Sequence, residues 1–274
     1  MIIPSPERSN PGATHLASMA PLSSQPGWRS PVHGLLRGAM VLITLGIAAF
    51  AVDVPVAAWC RDGQWPAGMP KLLEKTADEI HRLVTMSEVV AHTVSVAVIL
   101  ALVLTLDRSL AWPSWRWPAI GLPARQPTAQ QATFARLLGA TFAGGILTDI
   151  IKLLVDRVRP RAVDFTTHAS VWDSFNDAVI ATVTGSHSNI NSFPSGHSAI
   201  AAGLAAALAW KYRRGRMFFA LFAAMAASQR IVSSAHFPSD ACFGAAIGLM
   251  GASLFLHAAP TIALPSASAS APDA

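Results

Sequence analysis

Six apolar runs dominate the chain and limit the folds that it can adopt. A membrane-spanning helix needs about twenty mostly apolar residues, and six segments reach or approach that length. These segments are 38–59, 88–106, 134–155, 196–210, 217–234 and 240–257. The last three are short and rich in Ala and Gly, a composition that suits close packing of helices in a bundle. We therefore predict an all-α fold, a bundle of six transmembrane helices.

The composition agrees with a membrane protein. Only 13% of the residues are charged and 52% are hydrophobic, whereas soluble domains carry about a quarter charged residues. The pI is near 9.9, but the cations lie beside apolar runs and form no single basic face. This distribution favours anionic lipids over nucleic acid as partners. Cys60 and Cys242 are too few for a disulfide scaffold or a cysteine-rich metal site; we expect two unpaired thiols, with a bridge between them as the alternative.

Both ends of the chain differ from its apolar middle. Residues 1–33 are rich in Pro and Ser and lack an apolar core, so we predict a disordered tail and no cleavable signal peptide. An Ala/Ser/Pro tail at 259–274 has the same character. Residues 34–258 are then predicted to form one integral-membrane domain, whose oligomeric state the sequence leaves open.

The basic residues predict how the helices cross a cytoplasmic (inner) membrane. Cytoplasmic links carry an excess of Lys and Arg, and the link 211–216 is the most basic, followed by the link between the second and third runs. If the spans alternate, both links and both termini are cytoplasmic. Residues 60–88, 156–195 and the loop around His236 then lie on the periplasmic or outer side.

The first of three polar segments on that side runs from Lys152 to Pro160. Lys152 and Arg159 are seven residues apart, close to two helical turns, so both side chains can point the same way. Pro160 disfavours helix at Arg159, so we predict that the third span ends there. Arg matches phosphate oxygens with paired hydrogen bonds, and Lys acts as a compact charge. The alternative is an interfacial cluster in which Arg157, Arg159 and Arg161 extend to lipid headgroups.

The second polar segment is Pro194-Ser195-Gly196-His197, directly before an Ala-rich run. This order predicts a helix that begins with Ser195 or Gly196 as its cap. A helix N-terminus presents free N–H groups and partial positive charge to an anion, and Gly196 lets the backbone approach that anion closely. His197 in the first turn is interpreted as a general acid; a neutral capping or packing role is the alternative.

The third polar segment runs from Arg230 to Asp240. Asp240 follows His236 by four residues, so its carboxylate can accept a hydrogen bond from one imidazole nitrogen and leave the other as a nucleophile. The alternative for Asp240 is a favourable charge in a first helical turn, worth about 0.3–1 kcal/mol. Ionisable groups beside apolar runs are costly and indicate function. Three cations, two histidines and a carboxylate are a set that suits phosphoryl transfer.

Together the three segments resemble the sequence pattern of the type 2 phosphatidic acid phosphatase superfamily, whose fold is shared with vanadium haloperoxidases. The family pattern is Lys-x6-Arg-Pro, then Pro-Ser-Gly-His, then Ser-Arg-x5-His-x3-Asp, and all three spacings occur here in order. Gln229 departs from the pattern, because the family usually has Ser at that place. The resemblance covers about residues 134–257.

The resemblance implies a membrane lipid phosphatase that uses neither a metal ion nor a cofactor. His236 would attack phosphorus to form a phosphohistidine, held by Asp240, and His197 would protonate the leaving oxygen and then activate water. The residues implied to bind the phosphoryl oxygens are Lys152, Arg159, Ser195, Gly196 and Arg230. The substrate could be phosphatidic acid, phosphatidylglycerol phosphate, undecaprenyl diphosphate or a lipid A phosphate, since the pattern contacts only the phosphate.

Two other functions stay open. One is transfer of the phosphoryl group to an acceptor other than water, and the other is a non-catalytic bundle that binds or transports lipid phosphates. A mere binder has no need of His197, His236 and Asp240, which favours the enzyme. The polar insertion 161–192 is predicted to cover the site or contact the headgroup, and its histidines, His168 and His187, receive no catalytic role.

Overall fold

The computed structural model describes residues 31–62, 71, 75, 79, 93–107, 129–168, 170–183 and 187–257. Within these ranges the regular structure consists of α-helices and short 3-10 turns, with one isolated β-bridge. The prediction of an all-α fold is confirmed. The predicted tails, except for residues 31–33, and most of the links 63–92 and 108–128 lie outside the described residues, so the predicted domain boundaries stay predictions.

Eight α-helices have their bounds within the described ranges, and all except α5 overlap the six apolar runs, with α1 and α2 sharing the first run. They are α1 (Val32–Ala49), α2 (Asp53–Asp62), α3 (Thr93–Leu106), α4 (Ala129–Lys152), α5 (Asp177–Thr182), α6 (Gly196–Lys211), α7 (Arg216–Val232) and α8 (Pro238–Phe255). By length and hydropathy, α1 and the stretch Gln131–Lys152 of α4 can cross a membrane.

Two helix ends differ from the prediction. The first apolar run does not form one helix over 38–59, because α1 ends at Ala49 and Asp53 begins α2. The third run does not stay helical to Arg159, because α4 ends at Lys152. In both places the chain is held by polar contacts with distant segments, which a local pattern does not reveal.

Helices α4, α6 and α8 pack with their backbones almost in contact. A Cβ atom on Gly203 of α6 would lie 2.5 Å from the carbonyl oxygen of Ala140, and one on Gly248 of α8 would lie 2.2 Å from that of Ala199. A Cβ on Gly144 of α4 would lie 2.5 Å from the Gly248 Cα. The small residues noted in the sequence therefore let three helices approach closely, as they do in membrane bundles.

Helix α6 separates two polar ends of the fold. Its first residue, Gly196, belongs to the Pro-Ser-Gly-His segment, and its last residue, Lys211, begins the basic link. The Lys211 ammonium lies 3.6 Å from the Asp107 carboxylate, which also accepts a hydrogen bond of 2.6 Å from the Tyr212 hydroxyl. This contact joins the C-terminal ends of α3 and α6, about 22 Å from Gly196 at 1.5 Å per residue.

Candidate active site

The chain after α4 forms a short bridge with the chain before α6. The backbone N–H of Arg157 donates to the Ile190 carbonyl at 2.8 Å, and the N–H of Ser192 donates to the Arg157 carbonyl at 3.0 Å. The N–H of Arg159 donates to the Asn189 carbonyl at 2.7 Å. These bonds end α4 early and hold the first polar segment beside the residues that lead into the second.

The second polar segment contacts both of the others. Ser195 is the N-cap of α6, as predicted, and its Oγ accepts bonds from the Ser198 N–H at 3.4 Å and the Ser198 hydroxyl at 3.0 Å. Its own O–H thus stays available to donate to a bound oxyanion. The Ser195 N–H donates to the Asp240 carbonyl at 3.1 Å. A Cβ on Gly196 would lie 3.4 Å from the Lys152 Nζ, so the ammonium lies against the helix N-terminus.

A tight turn after α7 places the backbone of His236. The N–H groups of Ala235 and His236 both donate to the Arg230 carbonyl at 3.1 Å. Ser234 has a φ of 52°, the left-handed conformation that commonly ends a helix. The Ser234 carbonyl accepts a bond of 3.1 Å from the N–H of Arg161, which ties the third polar segment to the first.

The shortest hydrogen bond of the His236 imidazole goes to a backbone carbonyl, and the predicted partner Asp240 lies further away. The buried imidazole places Nδ1 at 2.7 Å from the Ser192 carbonyl and 3.8 Å from the Asp240 Oδ2. Because a carbonyl oxygen only accepts, Nδ1 carries the proton and Nε2 is the nitrogen left to react. Asp240 accepts bonds at 2.6 Å from the Ser192 hydroxyl and at 2.9 Å from the Phe237 N–H. It therefore fixes the residue that supplies the carbonyl and the residue next to His236.

The surroundings of His236 favour its neutral form. Burial lowers the pKa of the imidazole below its ordinary value of 6.5. The nearby Asp240 opposes this shift, whereas the positive charges of Arg159 and Arg230 add to it. A nucleophilic imidazole must be unprotonated at the reacting nitrogen, so this environment suits that role.

Arg159 has an unused donor in a positively charged setting. Its Nη2 donates to the Asn191 carbonyl at 3.5 Å, and its buried Nε has no hydrogen-bond partner. Burial, with the charges of Arg161 and Arg230, lowers the pKa of Arg159 to about 10. A buried N–H without an acceptor is costly, and a phosphate oxygen would supply one as well as negative charge.

The other two predicted cations lie at helix ends. Lys152 ends α4 and lies 3.5 Å from the Asp149 carboxylate, which is 76% exposed, so this ion pair is weak. Arg230, in the last turn of α7, is 9% exposed, and its Nη1 donates to Gln229 Oε1 at 3.4 Å. The residue that departs from the expected pattern thus contacts Arg230 through its own side chain.

Comparison with known proteins agrees with this geometry. Residues 133–263 match the family model described as the PAP2 superfamily, and this range holds all three polar segments. Over this range, slightly less than half of its length, the chain is similar to the PAP2 superfamily.

Two relatives of this chain are named Lipid A 1-phosphatase. The protein from Rhizobium etli is 30% identical over 125 residues, which cover 43% of this chain and 49% of the relative. The protein from Rhizobium johnstonii is 31% identical over 123 residues, which cover 43% of this chain and 46% of the relative. The chain spans about half the length of these relatives, and no solved structure gives a significant match.

The other histidines considered for the site, His197, His168 and His187, lie in different parts of the fold. His197 is the second residue of α6, half-buried in the first turn beside the capped N-terminus. His168 lines a surface cavity of about 450 Å³ together with Arg161, Asp164 and Asn189. The side chain of His187 lies outside the described residues. The insertion borders the candidate site, because the Asn189 carbonyl accepts from the Arg159 N–H and the Arg161 N–H donates to the Ser234 carbonyl.

Two charged residues behind the site were missed from the sequence. Arg157, which the interfacial alternative would place among lipid headgroups, is fully buried, so that alternative is wrong for this residue. Its Nη2 lies 2.8 Å from the Asp53 Oδ2, and its Nη1 donates to the Asp240 carboxylate. Asp53 lies inside an apolar run outside the PAP2 match. An acid within an apolar run is costly and is the sequence signal that indicates a functional role for Asp53.

Proposed function

We propose that this chain is an integral-membrane phosphatase that hydrolyses a lipid phosphate through a phosphohistidine on His236, without a metal ion. The observation that carries the proposal is the meeting of three distant segments around one helix N-terminus. Gly196 lies against Lys152, Ser195 bonds to the backbone of Asp240, and His236 bonds to Ser192. The match of residues 133–263 to the PAP2 superfamily and the names of the two relatives support the same reaction class.

The first chemical step is attack of the His236 Nε2 lone pair on phosphorus. As the N–P bond forms, the bond from phosphorus to the lipid oxygen breaks, and His197 donates its proton to that oxygen. The Ser192 carbonyl holds the tautomer at Nδ1, and Asp240 at 3.8 Å stabilises the positive imidazole of the intermediate.

The second chemical step returns the enzyme to its starting state. Water attacks the phosphohistidine, His197 takes a proton from that water, and the N–P bond breaks to release inorganic phosphate and neutral His236. In both steps Lys152, Arg159 and Arg230 neutralise the phosphoryl oxygens, and the Ser195 hydroxyl and Gly196 N–H donate to them. Fixed cations do the electrostatic work that Mg²⁺ does in other phosphoryl transfers.

Exposed apolar side chains support a membrane location. Large hydrophobic residues are exposed on helices along the chain: Met40 and Ile47 (α1), Leu102 (α3), Ile146 (α4), Phe218 (α7) and Leu254 (α8). Such a surface suits a bilayer rather than water. We infer six crossings within a domain of residues 34–258, with the tails 1–33 and 259–274 and the basic link Lys211–Arg216 on the cytoplasmic side. The site, at the other end of α6, then faces the periplasm or outside.

The substrate class that we propose rests on the names of the two relatives. Both relatives are named for the 1-phosphate of lipid A, so a glycolipid phosphate is the first substrate to test. Phosphatidic acid, phosphatidylglycerol phosphate and undecaprenyl diphosphate carry the same reacting group and complete the panel.

The test is phosphate release by the purified chain in detergent, with EDTA present, for that panel of lipids. We expect turnover by the wild type, background rates for His236→Asn, and wild-type rates for the matched control His168→Asn. Turnover by His236→Asn, or a strict need for added metal, would reject the mechanism. Release that required an added alcohol would indicate a phosphotransferase, and binding without release would indicate a lipid-binding bundle.

A further inference from the structure

Arg157 is the bulkiest fully buried side chain among the described residues. It makes four side-chain hydrogen bonds: Nε to the Ser174 hydroxyl at 3.0 Å, Nη1 to the Ser239 hydroxyl at 2.8 Å and to the Asp240 carboxylate, and Nη2 to Asp53 at 2.8 Å. The guanidinium also lies 4.0 Å from the ring centre of Phe237 and 4.6 Å from that of Phe175. A buried cation is tolerated only when it is paired and hydrogen-bonded, and Arg157 meets both conditions.

Asp53 reaches this network from a part of the chain that precedes the PAP2 match. Its carboxylate is fully buried; Oδ1 accepts from the Ser239 N–H at 2.9 Å, and Oδ2 accepts from Arg157 and from the Ser239 hydroxyl. Ser239 lies in the first turn of α8, where a negative charge is favourable. Asp53 therefore fastens α2 to both Arg157 and the start of the helix that carries Asp240.

The two oxygens of Asp240 face opposite sides of the site. Oδ1 faces Arg157, whereas Oδ2 faces the Ser192 hydroxyl, the Phe237 N–H and, at 3.8 Å, the Nδ1 of His236. Rotation of the carboxylate would bring an oxygen nearer to Nδ1 and compete with the Ser192 carbonyl. The bond to Arg157 opposes that rotation.

We propose that Asp53 and Arg157 form a positioning pair for the reaction. Asp53 holds the guanidinium of Arg157, and Arg157 holds Asp240 so that His236 keeps Nδ1 on Ser192 and leaves Nε2 for phosphorus. The role rests on the proposed phosphatase function, and it makes an acid outside the family match part of the working site.

Charge counting selects the variants. Asp53, Arg157 and Asp240 together carry one positive and two negative charges. Asp53→Asn leaves one positive charge on Arg157 and one negative charge on Asp240, so this variant should fold. Loss of the Arg157 charge would instead leave two buried carboxylates together. Arg157→Lys keeps the charge but loses the planar fork that makes four hydrogen bonds. Asp177→Asn, an exposed acid at the start of α5, is the matched control.

The kinetic arm measures kcat and KM for lipid phosphate hydrolysis by the full-length variants. We expect kcat to fall about 10- to 100-fold in Asp53→Asn and in Arg157→Lys, the size of effect that a shift of about 1 Å at a reacting group produces. KM should change little, because neither substitution alters Lys152, Arg159 or Arg230, the cations proposed to bind the phosphate. The kcat of the double variant should be only slightly lower than that of either single variant, because both residues act on Asp240 through the same contact. Wild-type kcat in both single variants, or a change confined to KM, would contradict the positioning role of Asp53 and Arg157.

The second arm does not depend on turnover and so separates this proposal from the proposed function. The ionisation midpoint of His236 is followed by NMR of protein labelled with ¹⁵N-histidine, with His236→Asn to assign the signal. The charged groups that face the imidazole are Asp240 on α8, Arg230 on α7 and Arg159 after α4. In Arg157→Lys the freed carboxylate should move towards Nδ1 and raise the midpoint, while Asp177→Asn leaves it unchanged. A midpoint equal to that of the wild type would contradict the positioning role even if the variant were less stable.

Discussion

Gly244 of α8 allows the backbone of the Pro-Ser-Gly-His segment to lie where the site needs it. A Cβ atom at this position would lie 2.2 Å from the Ser195 carbonyl oxygen, 3.0 Å from its carbonyl carbon and 3.1 Å from its nitrogen. Ordinary contact of a Cβ begins near 3.4 Å, so Gly244→Ala must displace the Ser195 peptide by about 1.2 Å. The added methyl has no flexible side chain to push aside, because all three nearest atoms are backbone.

The displacement should affect both rate and stability. It moves the cap of α6 and the Ser195 bond to Asp240, and a misplacement of about 1 Å can lower a rate about a hundredfold. Overpacking of this kind costs about 1–3 kcal/mol in the free energy of unfolding. We therefore expect Gly244→Ala to reduce kcat for phosphate release about a hundredfold and to lower the thermal midpoint.

Two other glycines supply controls for this experiment. Gly34 in α1 has no atom within 4 Å of its would-be Cβ, so Gly34→Ala should keep wild-type kcat and gain up to about 1 kcal/mol from helix propensity. A Cβ on Gly248 would lie at the same 2.2 Å from the Ala199 carbonyl oxygen, one helical turn further from the site. The thermal midpoint of Gly248→Ala therefore measures the loss of stability from overpacking alone. Wild-type kcat and thermal midpoint in Gly244→Ala would refute the reasoning.

Three further outcomes follow from the site. Because burial lowers the pKa of His236, the acidic limb of kcat/KM against pH should lie below 6.5, and a limb above 6.5 would contradict this. The unfolded chain binds a proton at His236 more readily than the folded chain does, so the free energy of unfolding should also fall as the pH drops below 6.5. Arg159→Lys should lower kcat/KM for a lipid phosphate about 10- to 100-fold, the loss of one or two charge-assisted hydrogen bonds, while Arg37→Lys on α1 should match the wild type. Titration of the denatured, unreduced protein should find two thiols, because Cys60 and Cys242 are both free; no thiols would indicate a disulfide.

Features that depend on local sequence were predictable. The Ser195 cap and the start of α6 follow from a capping residue before an Ala-rich run, and the structure has both. The three polar segments lie at ends of apolar runs, so antiparallel packing of neighbouring helices brings them to the same end of the bundle. Their contacts through Lys152, Ser195 and Asp240 agree with that reasoning.

Features that depend on distant partners were not predictable. Arg157 directly follows Asp156 and precedes Arg159 and Arg161, so its local sequence shows no sign of burial. Its place is set by Asp53, about a hundred residues earlier, and by Ser239. The nearest acceptor for His236 is a backbone carbonyl, which any residue at position 192 would offer, so the spacing to Asp240 did not reveal this contact. The end of α4 is likewise set by backbone bonds to residues 189–192.

The most direct test of the mechanism is to trap the covalent intermediate. The purified chain is mixed with a lipid phosphate that carries a radiolabelled phosphoryl group, quenched with alkali, in which phosphohistidine survives, and digested for peptide mapping. We predict label on the peptide that contains His236, lost on treatment with acid and absent from His236→Asn. Turnover of the same substrate with no labelled histidine, or with label that persists in His236→Asn, would contradict the account.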